Sequence, residues 1–227
     1  MITEQAAQQI TLRDKEIADE KDTKLTEEKI LIPMKYPEYA QRLVNVAMMM
    51  RNAKNTTTLV GLNVVYDDED MRRHQEQGQQ LLDRMAKYAA SADMTMTTQV
   101  RVAANIANGI RHAFKEFRAT DVLIGMHMHK EVSQKFWGAF HQSLFNGLNS
   151  QIIMARLCQP LSTIRRIHVA VPSRAQFEPG FYRWLERVCR LAVNMECLTE
   201  FYGRDDVLPL IEQYIRNRHS AMRVSLR

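Results

Sequence analysis

Two short segments carry the residue types that could hold an anion. In the first, Ile32–Lys35, a lysine follows a short apolar run and a proline. The second, Gly125–Ala139, includes His127, Met128 and Gly138. Glycines let a backbone come close to phosphate oxygens, and lysine and histidine supply positive charge. The residue types therefore indicate an anion-binding crevice, with side chains that simply point into water as the simpler alternative.

Other chemistry is less well supported by the sequence. His127 and His129 alternate as two metal ligands on an extended segment would, but zinc needs two more ligands and only Glu131 lies nearby. There is no nucleophile elbow, Walker loop or dinucleotide GxGxxG pattern, so we predict neither a metal site nor an enzyme. An odd number of cysteines without CxxC spacing predicts a reducing compartment; they are Cys158, Cys189 and Cys197.

The hydrophobic pattern predicts the elements that would position the two segments. Apolar runs bounded by turn residues predict strands over 29–33, 57–66, 94–102, 121–126 and 151–157. Helical periodicity predicts helices over 37–52, 67–91, 104–118 and 131–149. Alternation of this kind predicts an α/β, Rossmann-like fold with a five-stranded parallel sheet. The carboxyl ends of parallel strands share one edge, so Pro33, Lys35, Val65 and Gly125 are expected to border a single crevice there.

The pattern then restarts and stops about half-way. Residues 166–172 form a second apolar run ending in proline, followed by a predicted helix over 177–193, a strand over 197–202, a helix over 205–217 and a strand from 222. The sequence therefore predicts a charged linker over 1–27, a complete domain over 28–160 and a partial second copy over 164–227.

The basic charge is concentrated in the partial copy. Residues 164–227 contain 11 arginines, no lysine and 7 acids, a balance of +4 out of the net charge of +5. A solvated helix surface is the simpler interpretation, with an anionic partner or lipid headgroups as the alternative. We predict no nucleic-acid partner. No apolar run reaches the ~20 residues of a membrane span and no signal-peptide core is present, so we expect a cytoplasmic location without direct membrane insertion.

The strand–proline opening and the glycine-bearing loop after the fourth strand resemble the universal stress protein family. In nucleotide-binding members an aspartate follows the first strand, and a loop of pattern Gly-x2-Gly-x9-Gly-Ser/Thr holds the phosphates. Gly125 and Gly138 keep this spacing, but Met128 replaces the middle glycine and Ala139 the hydroxyl residue, while Lys35 takes the place of the aspartate. The resemblance thus implies a degenerate nucleotide site that binds a nucleotide weakly or holds another anion, such as a cyclic dinucleotide, and no obligatory cofactor.

The tandem arrangement behind a charged linker is similar to the cytosolic C-terminal region of bacterial, Bacteroides-type sodium/proton antiporters. That resemblance implies a regulatory or assembly domain, joined to a transmembrane antiporter domain and tethered to the inner membrane. The family commonly dimerises through its fifth strand, which implies a homodimer interface at Ile152, Ile153, Met154 and Arg156. A free-standing universal stress protein that binds ATP is the alternative function.

Overall fold

The computed structural model describes residues 27–52, 57–126, 142, 144, 148 and 150–227. They form two compact units, each with its own parallel sheet. The five-stranded unit contains the described residues of 27–48 and 57–160, and the three-stranded unit contains 49–52 and 161–227. Of the predicted linker over 1–27, Glu27 alone is described. No helix in the described part of the chain is both long enough and apolar enough to cross a bilayer.

The five-stranded unit arises from strands that are apolar on both faces. The runs Ile30–Ile32 and Leu59–Leu62 are completely buried, as expected for central strands of a parallel sheet covered by helices on both sides. The elements in chain order are β1 (Glu28–Pro33), α1 (Pro37–Met49), β2 (Thr57–Val65), α2 (Met71–Ala90), β3 (Met96–Val102), α3 (Ile106–Phe117), β4 (Asp121–Gly125) and β5 (Gln151–Ala155).

The strands lie in the order β3-β2-β1-β4-β5 and all run parallel. This confirms the predicted α/β class with its five-stranded parallel sheet. Most of the helix predicted over 131–149 lies outside the described residues, although Gln142 and Leu144 have helical backbone and Leu144 is buried against the α3 side of the sheet. The order reverses between β1 and β4, and this switch point is where open α/β sheets form their ligand crevice.

The three-stranded unit repeats one half of that pattern. Its elements are β6 (Arg166–Ala170), α4 (Phe181–Asn194), β7 (Leu198–Tyr202), α5 (Leu208–Arg218) and β8 (Val224–Leu226), and its sheet order is β6-β7-β8. The helix predicted over 177–193 begins four residues late. Pro179 and Gly180 interrupt the segment, and Gly180 has a φ of +83°, a conformation that glycine adopts without steric cost.

The hydrogen-bond register shows which positions of the two sheets correspond. Met34 N donates to Leu62 O, and Val171 N donates in the same way to Tyr202 O. Pro33 pairs with Leu62, and Ala170 pairs with Tyr202. Ala170 therefore occupies the place of Pro33, and the repeat has a period of 137 residues. The two prolines that the sequence aligns, 139 residues apart, are not structural equivalents.

The corresponding positions differ in polarity on one face of the sheet. On the α3 side of the five-stranded sheet, Leu31, Val60 and Leu62 belong to the apolar core. The same three places in the three-stranded sheet hold polar or amphipathic side chains, which are His168, Glu200 and Tyr202. The opposite face is apolar and packs on α4 and α5 through Ile167, Val169, Phe201, Val224 and Leu226. The three-stranded sheet thus has one apolar face and one polar face.

Candidate functional site

The candidate crevice lies at the carboxyl ends of β1, β2 and β4. Of the residues predicted to line it, Pro33 and Gly125 end β1 and β4 and are half-buried, and Val65 ends β2 and is buried. Lys35 follows β1, is exposed, and has its Nζ 5.8 Å from the centroid of the Tyr36 ring. The other predicted residues lie outside the described part of the chain; they are His127, Met128, Gly138 and Ala139.

The start of the β1–α1 loop is fixed by hydrogen bonds on both sides of Met34. Its N–H donates to Leu62 O at 2.7 Å, and its carbonyl accepts from Asn63 Nδ2 at 2.7 Å. Asn63 is only 6% exposed, so this bond forms away from competing water. Asn63 therefore holds the backbone just before Lys35, at the carboxyl end of β1.

Asn63 depends in turn on a glycine in the helix packed above it. A Cβ placed on Gly78 of α2 would lie 2.4 Å from Asn63 Oδ1 and 2.7 Å from Asn63 Cγ, closer than non-bonded atoms can approach. Our sequence analysis missed this pair. The sequence does contain two signals, an amide side chain within the apolar stretch of β2 and a lone glycine inside the long helix α2. Nothing local connects these two residues.

The loop after β2 gives this edge of the sheet a negative character. Asp67, Asp68, Glu69 and Asp70 are all exposed, and Asp68 Oδ1 accepts the backbone N–H of Asp70 at 3.1 Å. The helix predicted over 67–91 begins only at Met71, and Asp70 makes no side-chain cap bond. β2 is a neighbour of β1 in the sheet, so this loop leaves the same edge of the sheet as the segment that carries Lys35. Asp70 also pairs with Arg73 at 3.2 Å, and Asp68 Oδ1 lies 3.8 Å from His74 Nδ1, so groups of α2 contact part of this acidic loop.

The predicted dimer-interface residues lie on an edge strand. β5 is the last strand of its sheet, and Ile152, Ile153 and Met154 are half-buried while Arg156 is exposed. Met126 N donates to Ala155 O, so the odd-numbered residues of β5 direct their backbone groups to β4. Ile152 and Met154 therefore direct theirs outward, away from the sheet.

Most arginines of the three-stranded unit bond to groups of the same unit. Arg165 Nη1 donates to Ser162 O at 2.8 Å, and Arg223 donates to Glu196 O. Others form ion pairs, which are Arg190–Glu186, Arg216–Glu212 and Arg227–Glu200. The guanidinium group suits both tasks because it carries five donors in a rigid, planar arrangement. These contacts favour the interpretation of the arginine surplus as part of the unit's own framework.

A half-buried carboxylate joins the two helices of this unit. Glu186 Oε2 on α4 accepts from the Tyr214 hydroxyl at 2.6 Å and lies 2.8 Å from His219 Nε2, while Oε1 accepts from Arg190 Nε at 2.7 Å. Burial acts to raise the pKa of Glu186, but these hydrogen bonds and the charge of Arg190 outweigh it and hold the pKa well below its usual range. The carboxylate stays ionised and joins α4 to the end of α5.

The two buried thiols lie in surroundings that suppress reactivity. Burial, reinforced by the charge of Glu186, raises the pKa of Cys189 to about 12, and burial also raises the pKa of Cys197. The thiolate is the nucleophilic form of cysteine, so neither side chain is activated. All three cysteines are free, and Cys158 is the exposed one.

Comparison with solved structures identifies the architecture. A universal stress protein from Archaeoglobus fulgidus DSM 4304 is similar over 88% of this chain and 75% of its own, with 12% identity and a TM-score of 0.59. The fold is that of the universal stress proteins. A universal stress protein family member from Burkholderia pseudomallei matches over 57% of this chain and 96% of its own, with 16% identity and a TM-score of 0.46. The universal stress protein from Archaeoglobus fulgidus in complex with dAMP matches over 57% and 98%, with 10% identity and a TM-score of 0.44.

Comparisons at the level of sequence give no match: neither a protein-family profile nor a curated protein matches this chain. The similarity to the Archaeoglobus fulgidus DSM 4304 protein, at 12% identity, establishes the shared fold and leaves the function to be argued from the residues of this chain.

Proposed function

We propose that this chain is a regulatory or assembly domain of a monovalent cation, specifically sodium:proton, antiporter. In this proposal the domain is cytoplasmic and is tethered to the inner membrane by a transmembrane antiporter domain elsewhere in the full protein. It keeps the universal stress protein fold as a scaffold, has lost ordinary nucleotide binding, performs no catalysis and assembles as a homodimer. The alternative is a free-standing universal stress protein that binds ATP or another nucleotide.

The observation that carries the proposal is the chemistry at the end of β1. Lys35 stands exposed where the nucleotide-binding pattern has an aspartate, and the carboxylates of Asp67–Asp70 follow the adjacent strand. A nucleotide would lose the acceptor for its ribose, whereas the Asp67–Asp70 carboxylates lie on the β2 side of β1, away from the loop after β4 that holds phosphates in the family pattern. A scaffold role is compatible with the loss of this acceptor, whereas the free-standing alternative needs a working site.

Calorimetry with magnesium-ATP separates the two functions. We expect weak or undetectable binding by the natural chain. The double variant Lys35→Asp with Met128→Gly should bind more tightly, because it restores the acceptor and the glycine of the family pattern. A low-micromolar dissociation constant for the natural chain, about −8 kcal/mol, would favour the free-standing nucleotide binder instead.

The reading frame upstream of Met1 provides the second test. An antiporter requires about a dozen apolar segments of ~20 residues each in the same open reading frame. Finding them would support the transporter assignment. A frame that opens at Met1, or that continues into another kind of domain, would contradict it.

A further inference from the structure

Among the strands that the structure describes, β6 is an edge strand of the three-stranded sheet. β1, the strand that corresponds to β6, bonds to β2 on one side and to β4 on the other. Within the described residues, β6 pairs with β7 alone. β6 has the sequence Arg-Ile-His-Val-Ala, without the proline, lysine or bulge that often protects an edge. Such an edge can accept another strand.

The register identifies the groups that β6 presents at this edge. Arg165 O accepts from Leu198 N, and Val171 N donates to Tyr202 O, so the odd-numbered residues from 165 to 171 face β7. In a parallel pair each residue directs its N–H and C=O to the same side. The outward groups therefore belong to Arg166, His168 and Ala170, whose side chains are all exposed.

The strand is complementary to itself when two copies run antiparallel about a two-fold axis at its centre. His168 then lies opposite His168 of the partner subunit, and Arg166 lies opposite the partner's Ala170, so no two arginines face each other. Ile167 lies opposite the partner's Val169 on the face that packs on the helices. Both of these side chains are half-buried in one copy, and the pairing extends the apolar face across both copies.

The polar side of the sheet fits the same arrangement. Glu200 is 3% exposed, and its carboxylate already contacts His168 Nδ1 at 3.1 Å, Arg227 Nη2 at 3.0 Å and the Tyr202 hydroxyl at 3.2 Å. Each copy therefore compensates its own buried charge, and pairing along β6 leaves no carboxylate uncompensated at the axis.

We propose that β6 is a self-association edge, at which two copies of this chain pair antiparallel to form a six-stranded sheet in the order β8-β7-β6-β6-β7-β8. The inference is independent of the antiporter assignment, because it rests on backbone groups and side-chain order in the three-stranded unit alone. It is also distinct from the β5 interface that the family resemblance implies.

Disulfide trapping in a Cys158→Ser background tests the pairing. Opposed residues of antiparallel strands have Cα atoms about 4.5–5.5 Å apart, within the range of a disulfide. His168→Cys should therefore form a covalent dimer with itself under mild oxidation. Ser225→Cys is the matched control: it lies on the polar face in β8, five strand spacings or ~24 Å from its counterpart, and should stay monomeric on a denaturing gel.

A second experiment mixes two different cysteine variants and leaves the His168–Glu200 contact intact. Arg166→Cys and Ala170→Cys chains should cross-link when mixed and much less when each is oxidised alone. Adding Ala170→Pro to the His168→Cys chain should abolish the trapped dimer, because it removes an outward backbone donor. The unit itself should tolerate this proline, since the equivalent position in β1 is Pro33. A His168→Cys yield no higher than that of Ser225→Cys, together with no preference for the mixed pair, would overturn the proposal.

Discussion

At the scale of single residues, the Asn63–Gly78 pair fixes the backbone at the start of the β1–α1 loop. We expect Gly78→Ala to destabilise the five-stranded unit by about 1–3 kcal/mol, because the new methyl group would clash with an amide that cannot move without losing its bond to Met34 O. In an exposed helix the same substitution would instead stabilise by nearly 1 kcal/mol. Urea unfolding followed by circular dichroism measures the difference.

A double-mutant cycle provides the control for this prediction. In an Asn63→Ala background the space beside Gly78 is open, so Gly78→Ala should cost little or become favourable. If Gly78→Ala is equally costly in both backgrounds, the clash is not with Asn63.

At the scale of elements, the Glu186 cluster determines how firmly α4 and α5 are held together. The pKa of Glu186 is lower in the folded chain than in the unfolded one. The stability that the carboxylate contributes is therefore complete above the unfolded pKa of about 4.3, and it is lost as the pH falls below that value. We expect Glu186→Gln to be less stable than the natural chain at pH 7 by about 1.5–3 kcal/mol, a difference that narrows towards pH 3. Urea titrations at several pH values test this.

Glu212→Gln is the matched control on α5. Glu212 pairs with Arg216 one turn away on the exposed surface, at 2.6 Å, and such pairs contribute little. The stability of that variant should follow the natural chain within about 0.5 kcal/mol at every pH. A Glu186→Gln difference that stays constant between pH 7 and pH 3 would show that the carboxylate charge is not what stabilises the cluster.

The elements were predictable where the signal is local. The continuous apolar runs of β1 and β2 indicated strands buried on both faces, and their alternation with helices indicated the parallel sheet. The register of the repeat was not predictable, because Pro33 and Pro172 look equivalent in sequence and only the ladder to the neighbouring strand places Ala170 opposite Pro33. Asn63 and Gly78 were missed for the same reason, since their relation exists only once α2 packs on β2.

At the scale of the whole molecule, the expected homodimer needs a different argument from the one that the sequence suggests. The sequence predicts only a partial second copy over 164–227, yet Leu185 is completely buried in the core of the three-stranded unit. Among the described residues the two sheets have four edge strands, which are β3, β5, β6 and β8, and we expect an interface between copies at β5 or β6 rather than at uncovered helices.

The β5 edge is tested by a proline that spares the sheet. Met154→Pro removes an outward N–H, so we expect it to weaken a dimer formed through β5 while leaving the circular dichroism spectrum unchanged. Ile153→Pro is the contrasting variant, because the backbone N–H of Ile153 is directed to β4. Losing that donor should destabilise the five-stranded unit itself. Light scattering gives the mass. An unchanged oligomer for Met154→Pro would exclude β5, and a mass of 26 kDa for the natural chain at micromolar concentration would contradict the dimer.

The exclusive use of arginine in the three-stranded unit has a practical consequence for labelling and proteolysis. After Lys135 the sequence contains no further lysine, and the framework contacts of this unit are made by guanidinium groups instead. Amine-directed reagents such as succinimidyl esters therefore modify side chains only before residue 136. A lysine-specific endoprotease that cuts after Lys135 leaves residues 136–227 as one uncut fragment, which carries the whole of β6, β7 and β8 together with β5 of the five-stranded unit.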